Sequence, residues 1–138
     1  MDYSKLSDFE INKAVAATLW PKCKTHNVGI QEPCVCVLND GGPVYSNYDP
    51  CNNPNHAWPI VTSKHIAVYP VSCMNQNLDY DMTGDWVASF SSSILSGVDH
   101  KHKNPLRAAM IVYLMMEADR DWETNHQSCH NQGFDSCN

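Results

Sequence analysis

The sequence predicts an α+β fold, in which a small, mostly antiparallel sheet packs against a buried C-terminal helix and an amphipathic N-terminal helix. Three observations lead to this prediction. Residues 108–116 are all apolar or aromatic, which is typical of a helix buried on more than one side. Residues 11–19 carry an apolar stripe with helical spacing. Short runs bounded by turn sequences, among them residues 34–48, indicate antiparallel strands.

The length and charge of the chain limit its organisation and its partners. A chain of 138 residues is long enough for one domain with a sizeable core, which we place over residues 1–118. Residues 119–138 are polar and lose all periodicity, so they are predicted to form a loosely held tail. The net charge is −6 with nine Lys and Arg residues. This argues against direct nucleic-acid binding, which relies on cations that neutralise phosphates.

The N-terminal sequence and the cysteines indicate the cellular compartment in which the protein is expected to act. The first residues lead straight into a helix without a signal peptide, and the longest apolar run is too short to cross a bilayer, so no membrane association is expected. The seven cysteines are then expected as free thiols in a reducing cytoplasm. No paired C-x-x-C motif is present, so no structural zinc site is predicted. The sequence also lacks a Gly-rich phosphate loop and a dinucleotide-binding fingerprint, and no cofactor is predicted.

Local signals define the N-terminal helix. Ser7 and Glu10 form a capping box, with Ser7 as the N-cap and Glu10 at the third helical position. Leu6 and Ile11 stand at the positions of a hydrophobic staple. The helix is expected to end at Pro21, because the residue before a proline is disfavoured in helical geometry. The apolar stripe comprises Ile11, Ala14, Val15, Thr18 and Leu19.

A hairpin is predicted after a connecting loop over residues 22–33. Residues 34–38 form its first strand, in which Cys34 and Cys36 are expected to sit as small buried hydrophobes. Residues 39–42, Asn-Asp-Gly-Gly, strongly favour a hairpin turn. Residues 43–48 form the return strand, which Pro43 places at an edge of the sheet.

The second half of the chain repeats the pattern of helix and strands. Asn53 and Pro54 begin a helix that carries Trp58, and Pro59 is expected to kink it or cut it short. Residues 66–72 and 85–91 are predicted strands, with Trp86, Ala88 and Phe90 on one face, a turn over residues 75–84 between them and a connection over residues 91–103 after them. Asn104 and Pro105 then begin the buried helix over residues 104–117.

The two Asn-Pro helix starts give the most specific site hypothesis. A helix N-terminus presents unpaired N–H groups and a partial positive charge, which together bind phosphate or carboxylate. Arg107 lies in the first turn of the buried helix and offers a bidentate grip on the same anion, while Trp58 offers a surface on which a base can stack. If the fold brings Asn53 and Asn104 together, one nucleotide-like ligand bridges both starts. The predicted ligand-binding residues are Asn53, His56, Trp58, Asn104 and Arg107.

The same residues have a purely structural interpretation, in which the caps are only caps, Trp58 is core and Arg107 pairs with a carboxylate. Cys51 and His56 also suggest a thiolate and its base, but no third group orients them, so no catalytic residue is assigned. Two further groups of possible metal ligands match no standard zinc spacing, and no metal site is predicted. These are His100 with His102, and His126, Cys129, His130 and Cys137.

Three stretches of the chain carry a family resemblance. Residues 1–13 (MDYSKLSDFEINK), 51–60 (CNNPNHAWPI) and 104–112 (NPLRAAMIV) resemble the NinX-like family of small accessory proteins from tailed bacteriophages. The resemblance implies a phage accessory protein that acts in the cytoplasm of the infected host. It supplies no catalytic residues. Accessory phage proteins of this size often counter host defences, by binding a defence protein or by sequestering a nucleotide signal.

These observations lead to two main functional hypotheses. The first is a non-catalytic protein, expected to be a homo-oligomer, that binds and sequesters a small anionic, nucleotide-derived ligand as an anti-defence sponge. The alternative is an acidic protein-interaction module that inhibits a host defence protein or a nucleic-acid-handling protein, since opposite potentials steer association. A weaker third possibility is a hydrolase that acts on the same nucleotide.

Overall fold

A computed structural model describes residues 1–28, 34–91 and 97–134 of the chain. Within them a short 3-10 turn precedes three α-helices and six strands, which confirms the predicted α+β class. In chain order the elements are α1 (Asp8–Leu19), β1 (Lys24–Val28), β2 (Cys34–Asn39), β3 (Gly42–Tyr48), α2 (Pro54–Ser63), β4 (Ala67–Met74), β5 (Tyr80–Phe90), β6 (Val98–His102) and α3 (Pro105–Phe134).

Helix α1 forms as its local signals predict. The hydroxyl of Ser7 accepts a hydrogen bond from the backbone N–H of Glu10 at 3.2 Å, and the carboxylate of Glu10 accepts one from the N–H of Ser7 at 2.8 Å. Ile11 and Val15 of the predicted stripe are fully buried, and Leu6 packs against the core that they join. The helix ends at Leu19, directly before Trp20 and Pro21. Its buried face rests on β2 and α3.

The first sheet has one strand more than the sequence predicts. Its order is β1-β2-β3 with antiparallel pairing, so β3 lies at an edge as predicted. The predicted loop over residues 22–33 was wrong in its first part, because Lys24–Val28 pairs with β2. That segment is mostly polar and lacks apolar alternation, so pairing with β2 rather than local preference makes it a strand. Residues 29–33 lie outside the described part of the chain.

The burial of β2 also differs from the expectation. Val35 and Val37 are the fully buried residues of this strand, whereas Cys34 and Cys36 are half-buried. Because alternate residues of a strand point to opposite faces, the valines occupy the core side and the cysteines the other. The cysteines are therefore not core residues.

Helix α2 begins at Pro54 as predicted, with Asn53 as its cap. Pro59 lies inside the helix, which continues to Ser63, so this proline does not end it. Because Pro59 has no N–H, the carbonyl of Asn55 in the first turn lacks its usual hydrogen bond within the helix. Asn55 is exposed, so water can reach this end of the helix.

The second sheet, with the order β4-β5-β6, likewise contains more strand than predicted. Strand β5 begins at Tyr80, so the turn spans residues 75–79 instead of 75–84. Val98–His102 forms β6 within the predicted connection, because it pairs with residues 86–90 of β5. Residues 92–96 of that connection lie outside the described residues. Trp86, Ala88 and Phe90 share a face as predicted, with Ala88 fully buried.

Helix α3 forms the centre of the core. Its residues 108–114 are all buried, and it packs against both other helices and all three strands of the second sheet. The helix was expected to end near residue 117, but it continues to Phe134, so residues 119–134 have regular secondary structure. The division into a domain over residues 1–118 and a tail over residues 119–138 stays a prediction. Among the described residues, no helix combines the length and apolarity that a membrane span requires.

Replacing Ser7 with Ala is expected to lower the free energy of unfolding by about 1 kcal/mol, because it removes an N-cap hydrogen bond of α1. Chemical denaturation measures this difference. The matched control is Ser7→Asp, which keeps an acceptor for the N–H of Glu10 and should retain most of the stability. Equal losses in both variants would contradict the role of the cap.

Candidate functional site

The two Asn-Pro helix starts lie together, as the site hypothesis requires. The side-chain amide of Asn104, at the start of α3, donates to the carbonyl of Cys51 at 2.7 Å and to the side-chain oxygen of Asn52 at 3.1 Å. Both acceptors belong to the turn that leads directly into Asn53, the cap of α2. The start of α3 therefore rests on the turn that precedes α2.

Helix α1 joins the same turn through a buried asparagine. Asn12 is only 5% exposed, and its amide donates to the carboxylate of Asp49 at 2.7 Å. Its side-chain oxygen accepts a hydrogen bond from the backbone N–H of Cys51 at 3.1 Å. We call the resulting set of polar contacts the helix-start network. It comprises Asn12, Asp49, Asn52 and Asn104, and it continues through a hydrogen bond from Asn52 to Asp8 at 3.1 Å and from there to Arg107.

Arg107 holds the N-terminal segment within this network. Arg107 is only 7% exposed, and its guanidinium donates to the carboxylate of Asp8 and to the carbonyl of Leu6. Burial alone would raise the pKa of Asp8, but hydrogen bonds from Arg107 and Asn52 outweigh it and hold that pKa below its usual value. Arg107 thus pairs with a carboxylate, as its structural interpretation states.

The N–H groups that an anion would need at the two helix starts already have acceptors. The side chain of Asn53 accepts from the N–H of Asn55 at 3.0 Å. The side chain of Asn104 accepts from the N–H groups of Leu106 at 3.0 Å and Arg107 at 3.3 Å. These contacts match capping. The assignment of Asn53, Asn104 and Arg107 to ligand binding stays a prediction.

Trp58 and Cys51 differ sharply in their exposure. Trp58 is 60% exposed. The structural interpretation, which placed Trp58 in the core, was therefore wrong for this residue. Cys51 is fully buried, and burial raises the pKa of its thiol far above the usual value. Since the thiolate is the nucleophilic form, Cys51 is suited to packing rather than to attack.

His56 lies in a cluster of aromatic rings that the sequence did not indicate. Its ring stacks on Tyr48 with centroids 5.2 Å apart and forms a T-shaped pair with Tyr45, with centroids 5.1 Å apart. The ring of Trp20 lies 5.4 Å from Tyr45 and 5.1 Å from Tyr48. These rings bring together the end of α1, the edge strand β3 and the first turn of α2.

The rings line a surface cleft of about 240 Å³, which we call the aromatic cleft. Flat rings at such a cleft offer stacking surfaces to a flat ligand, and the Asn55 and Ser63 side chains add polar groups. The lining residues are Leu19, Trp20, Tyr45, Tyr48, Asn55, His56, Pro59, Ile60 and Ser63. Of the five predicted site residues, only His56 is among them.

The protonation of His56 follows from its contacts. Its Nδ1 accepts a hydrogen bond from the backbone N–H of Asp49 at 3.0 Å, so the neutral ring carries its proton on Nε2. Burial lowers the pKa of His56, although the charge of Asp49 opposes this effect. The ring is therefore neutral at pH 7. It offers an N–H donor and an uncharged stacking face.

No sequence pattern predicts this cleft, because its rings come from three distant segments. Trp20 was assigned only to ending α1, and Tyr45 and Tyr48 only to a return strand. The two tyrosines stand opposite Val37 and Val35 of β2, with a register shift between these pairs. A bulge of this kind changes which side chains share a face. The sequence alone did not indicate that shift.

Among the described residues, the possible metal ligands His100 and His102 are not part of a metal-binding cluster. Asn104 donates its N–H to Nδ1 of His102 at 2.9 Å, which occupies one ring nitrogen of that histidine. Across the part of the chain that the structure describes, no group of three or more His, Cys, Asp and Glu residues is arranged to hold a metal ion. The side chains of His126, Cys129, His130 and Cys137 lie outside that part.

Comparison with protein families identifies a relationship to a bacteriophage family. The family model described as "Bacteriophage P22, NinX" matches residues 2–117, which is most of the chain. No curated protein matches the chain, and no solved structure matches it.

Replacing Arg107 with Ala is expected to lower the free energy of unfolding by about 2–3 kcal/mol, because it leaves the carbonyl of Leu6 and the carboxylate of Asp8 without their cation. The loss is limited because the Asp8 side chain is 42% exposed, so water can replace part of the interaction with Arg107. Urea denaturation measures the loss. The control is Arg120→Ala, at a position 63% exposed, where a loss below about 0.5 kcal/mol is expected. A similar small loss in Arg107→Ala would contradict the structural role of this residue.

Stability is expected to fall below about pH 6.5, the ordinary pKa of histidine, in part because of His56. The pKa of His56 is lower in the folded protein than in the unfolded chain, so the unfolded chain binds the proton first. The stabilisation is thus complete above that pH and is lost as the pH decreases through this window.

Denaturation at several pH values tests this expectation. The variant His56→Asn keeps an oxygen for the N–H of Asp49 but does not titrate, so its stability should decrease less at acid pH. The same exchange at His65, which is exposed, serves as the matched control. An unchanged pH profile in His56→Asn would contradict the assignment.

Proposed function

Because the chain belongs to the bacteriophage P22 NinX family, and is thereby a phage accessory protein, we propose that it binds a small nucleotide-derived ligand and sequesters it. In this proposal the protein acts without catalysis in the cytoplasm of the infected host. It counters host defence by withdrawing a nucleotide signal from the free pool. Binding alone is sufficient for such a role.

The aromatic cleft is the observation that carries this proposal. Trp20, Tyr45 and His56 are half-buried, so part of each ring remains accessible at the cleft. Stacking of a base on an aromatic side chain contributes ~1–3 kcal/mol per base. The neutral His56 ring adds a stacking face without the cost of burying a charge.

The size of the cleft limits the group that it accepts. Its volume of about 240 Å³ is below the ~300–1,000 Å³ that is usual for drug-sized ligands. We therefore propose that the cleft takes a single nucleobase, while sugar and phosphate remain at its rim. A ligand with two bases would need two clefts, which fits the expectation of a homo-oligomer.

The anionic part of the ligand is proposed to lie near the start of α2. Asn55 and His56 of its first turn line the cleft, and the N-terminus of a helix carries a partial positive charge. This charge favours a phosphate even where the first N–H groups are capped. The proposal thus keeps Asn53 and His56 from the sequence hypothesis, but moves the base from Trp58 to the aromatic cleft. Arg107 and Asn104 then contribute indirectly to binding, because their contacts hold the helix starts in position.

Tyr45→Leu is expected to weaken nucleotide binding at least about tenfold, because it removes one stacking surface and keeps an apolar side chain. Isothermal titration calorimetry with nucleoside mono-, di- and triphosphates and with cyclic dinucleotides measures the affinity. The control is Trp58→Ala, which removes an exposed aromatic ring of α2 that does not line the cleft and should bind as the unaltered protein does.

Two outcomes contradict different parts of the proposal. Loss of binding in Trp58→Ala with normal binding in Tyr45→Leu would place the ligand outside the cleft. If no nucleotide of the panel binds, or if the bound nucleotide is released as a hydrolysed product, sequestration is the wrong function.

A further inference from the structure

The hairpin of β4 and β5 extends beyond the rest of its sheet. Strand β5 runs from Tyr80 to Phe90, but β6 pairs only with its residues 86–90. Residues 80–82 of β5 pair with residues 72–74 of β4. A register shift between Pro70 and Ser72 separates this pairing from the rest of the ladder. We call residues 72–84 the hairpin arm. All of its residues are exposed except Asn75, which is half-buried.

One face of the hairpin arm is apolar and uncovered among the described residues. Met74 stands opposite Tyr80, and Ser72 opposite Met82. Directly opposed residues, and residues two apart on one strand, share a face of the ladder. The side chains of Met74, Tyr80 and Met82 therefore lie together, and they are 56%, 69% and 68% exposed.

The tip of the arm adds a fourth exposed apolar side chain. Leu78 is 76% exposed and has a φ of +65°, in the left-handed region that favours glycine. For a residue with a Cβ this conformation costs about 1–2 kcal/mol. The side chain of Asn75 holds the turn, since it accepts hydrogen bonds from the N–H groups of Asn77 at 2.9 Å and Asp79 at 3.0 Å. The turn thus keeps a large apolar side chain in water at the end of the arm.

Such an arm is poorly stabilised by its own contacts. An isolated two-stranded hairpin is at best marginally stable in water, and neighbouring exposed apolar side chains of this size typically mark an interaction surface. Methionine adapts its shape to a partner more easily than branched side chains do.

The charge of the arm and of the residues next to it, 69–71 and 85, indicates the chemistry of the partner. Residues 69–85 contain Asp79, Asp81 and Asp85 but no Lys, Arg or His. Asp81 alternates with Tyr80 and Met82 along β5, so it lies on the face opposite to the apolar one. The arm therefore combines an apolar face with a negative field.

We propose that the hairpin arm docks into a basic, apolar-floored groove of a partner protein. The apolar face then covers the floor of the groove, and the three aspartates meet cations at its rim. A second copy of this chain is a poor occupant, because it carries the same net charge of −6 and does not offer the basic surface that the aspartates would pair with. This inference is independent of the proposed ligand, which concerns α1, β3 and α2.

Site-specific photocrosslinking in phage-infected cells, followed by affinity measurement, tests the proposal. A benzophenone amino acid replaces Tyr80 in the arm or, as the control position, the exposed Lys13 on α1. A partner crosslinked from position 80 and not from position 13 is then purified. Its affinity for the full-length protein is measured at low and high salt.

Two matched sets of aspartate substitutions test the charge of the arm, and a pair of methionine substitutions tests its apolar face. Asp79→Asn, Asp81→Asn and Asp85→Asn together should weaken binding about tenfold at low salt and less at high salt, because salt screens exposed charges. The same exchange at the exposed residues Asp2, Asp40 and Asp121 removes equal charge elsewhere and should leave the affinity unchanged. Met74→Ser with Met82→Ser should also weaken binding, with unfolding curves that match the unaltered protein.

Several results would overturn the proposal. They are a crosslink from position 80 only to further copies of this chain, no crosslink at all, and a partner whose affinity responds equally to both sets of aspartate exchanges. Concentration-dependent self-association that the Met74 and Met82 exchanges abolish would assign the arm to an oligomer interface instead.

Discussion

The structure depends on the turn over residues 49–52, whose polar groups connect all three helices. Asn12 of α1 binds both Asp49 and the N–H of Cys51, while Asn104 at the start of α3 binds Cys51 and Asn52. The turn continues directly into α2, and the N–H of Asp49 orients the ring of His56. Buried polar groups are costly unless they are paired, and here their pairing determines how the helices meet. The aromatic cleft is lined by residues of α1, β3 and α2, so its shape depends on this arrangement.

The helices were largely predictable, because their starts are specified by neighbouring residues. Ser7, Asn53 and Asn104 each cap a helix by contacts within three positions in sequence. Strands β1 and β6 were not predictable in this way, since Lys24–Val28 and Val98–His102 are mostly polar and become strands only by pairing. The extension of α3 was missed for a related reason. The sequence after residue 117 lacks an apolar stripe, although a helix already begun can propagate through such residues at little cost.

The candidate site was predictable only in part. The site hypothesis required the two helix starts to meet, and they do so at the turn before α2. The sequence could not show that Arg107 turns towards Asp8 and Leu6, about a hundred positions away. His56 was selected for its place near a helix start, and it lies in the cleft. Trp20 and Tyr45 were not selected, since the contact between their rings depends on the tertiary fold and on a bulge in β3.

The bond between Arg107 and the first residues has a consequence for the order of folding. It links positions 99 apart in sequence, and contacts of such separation carry a large loop-closure entropy. On the ribosome, α1 has no access to this partner until α3 has begun to emerge. The N-terminal segment is therefore synthesised early but docks late, and the apolar stripe of α1 remains uncovered on that side in the meantime. We therefore expect nascent chains of this protein to expose apolar surface, of the general kind that chaperones bind, until the third helix is synthesised.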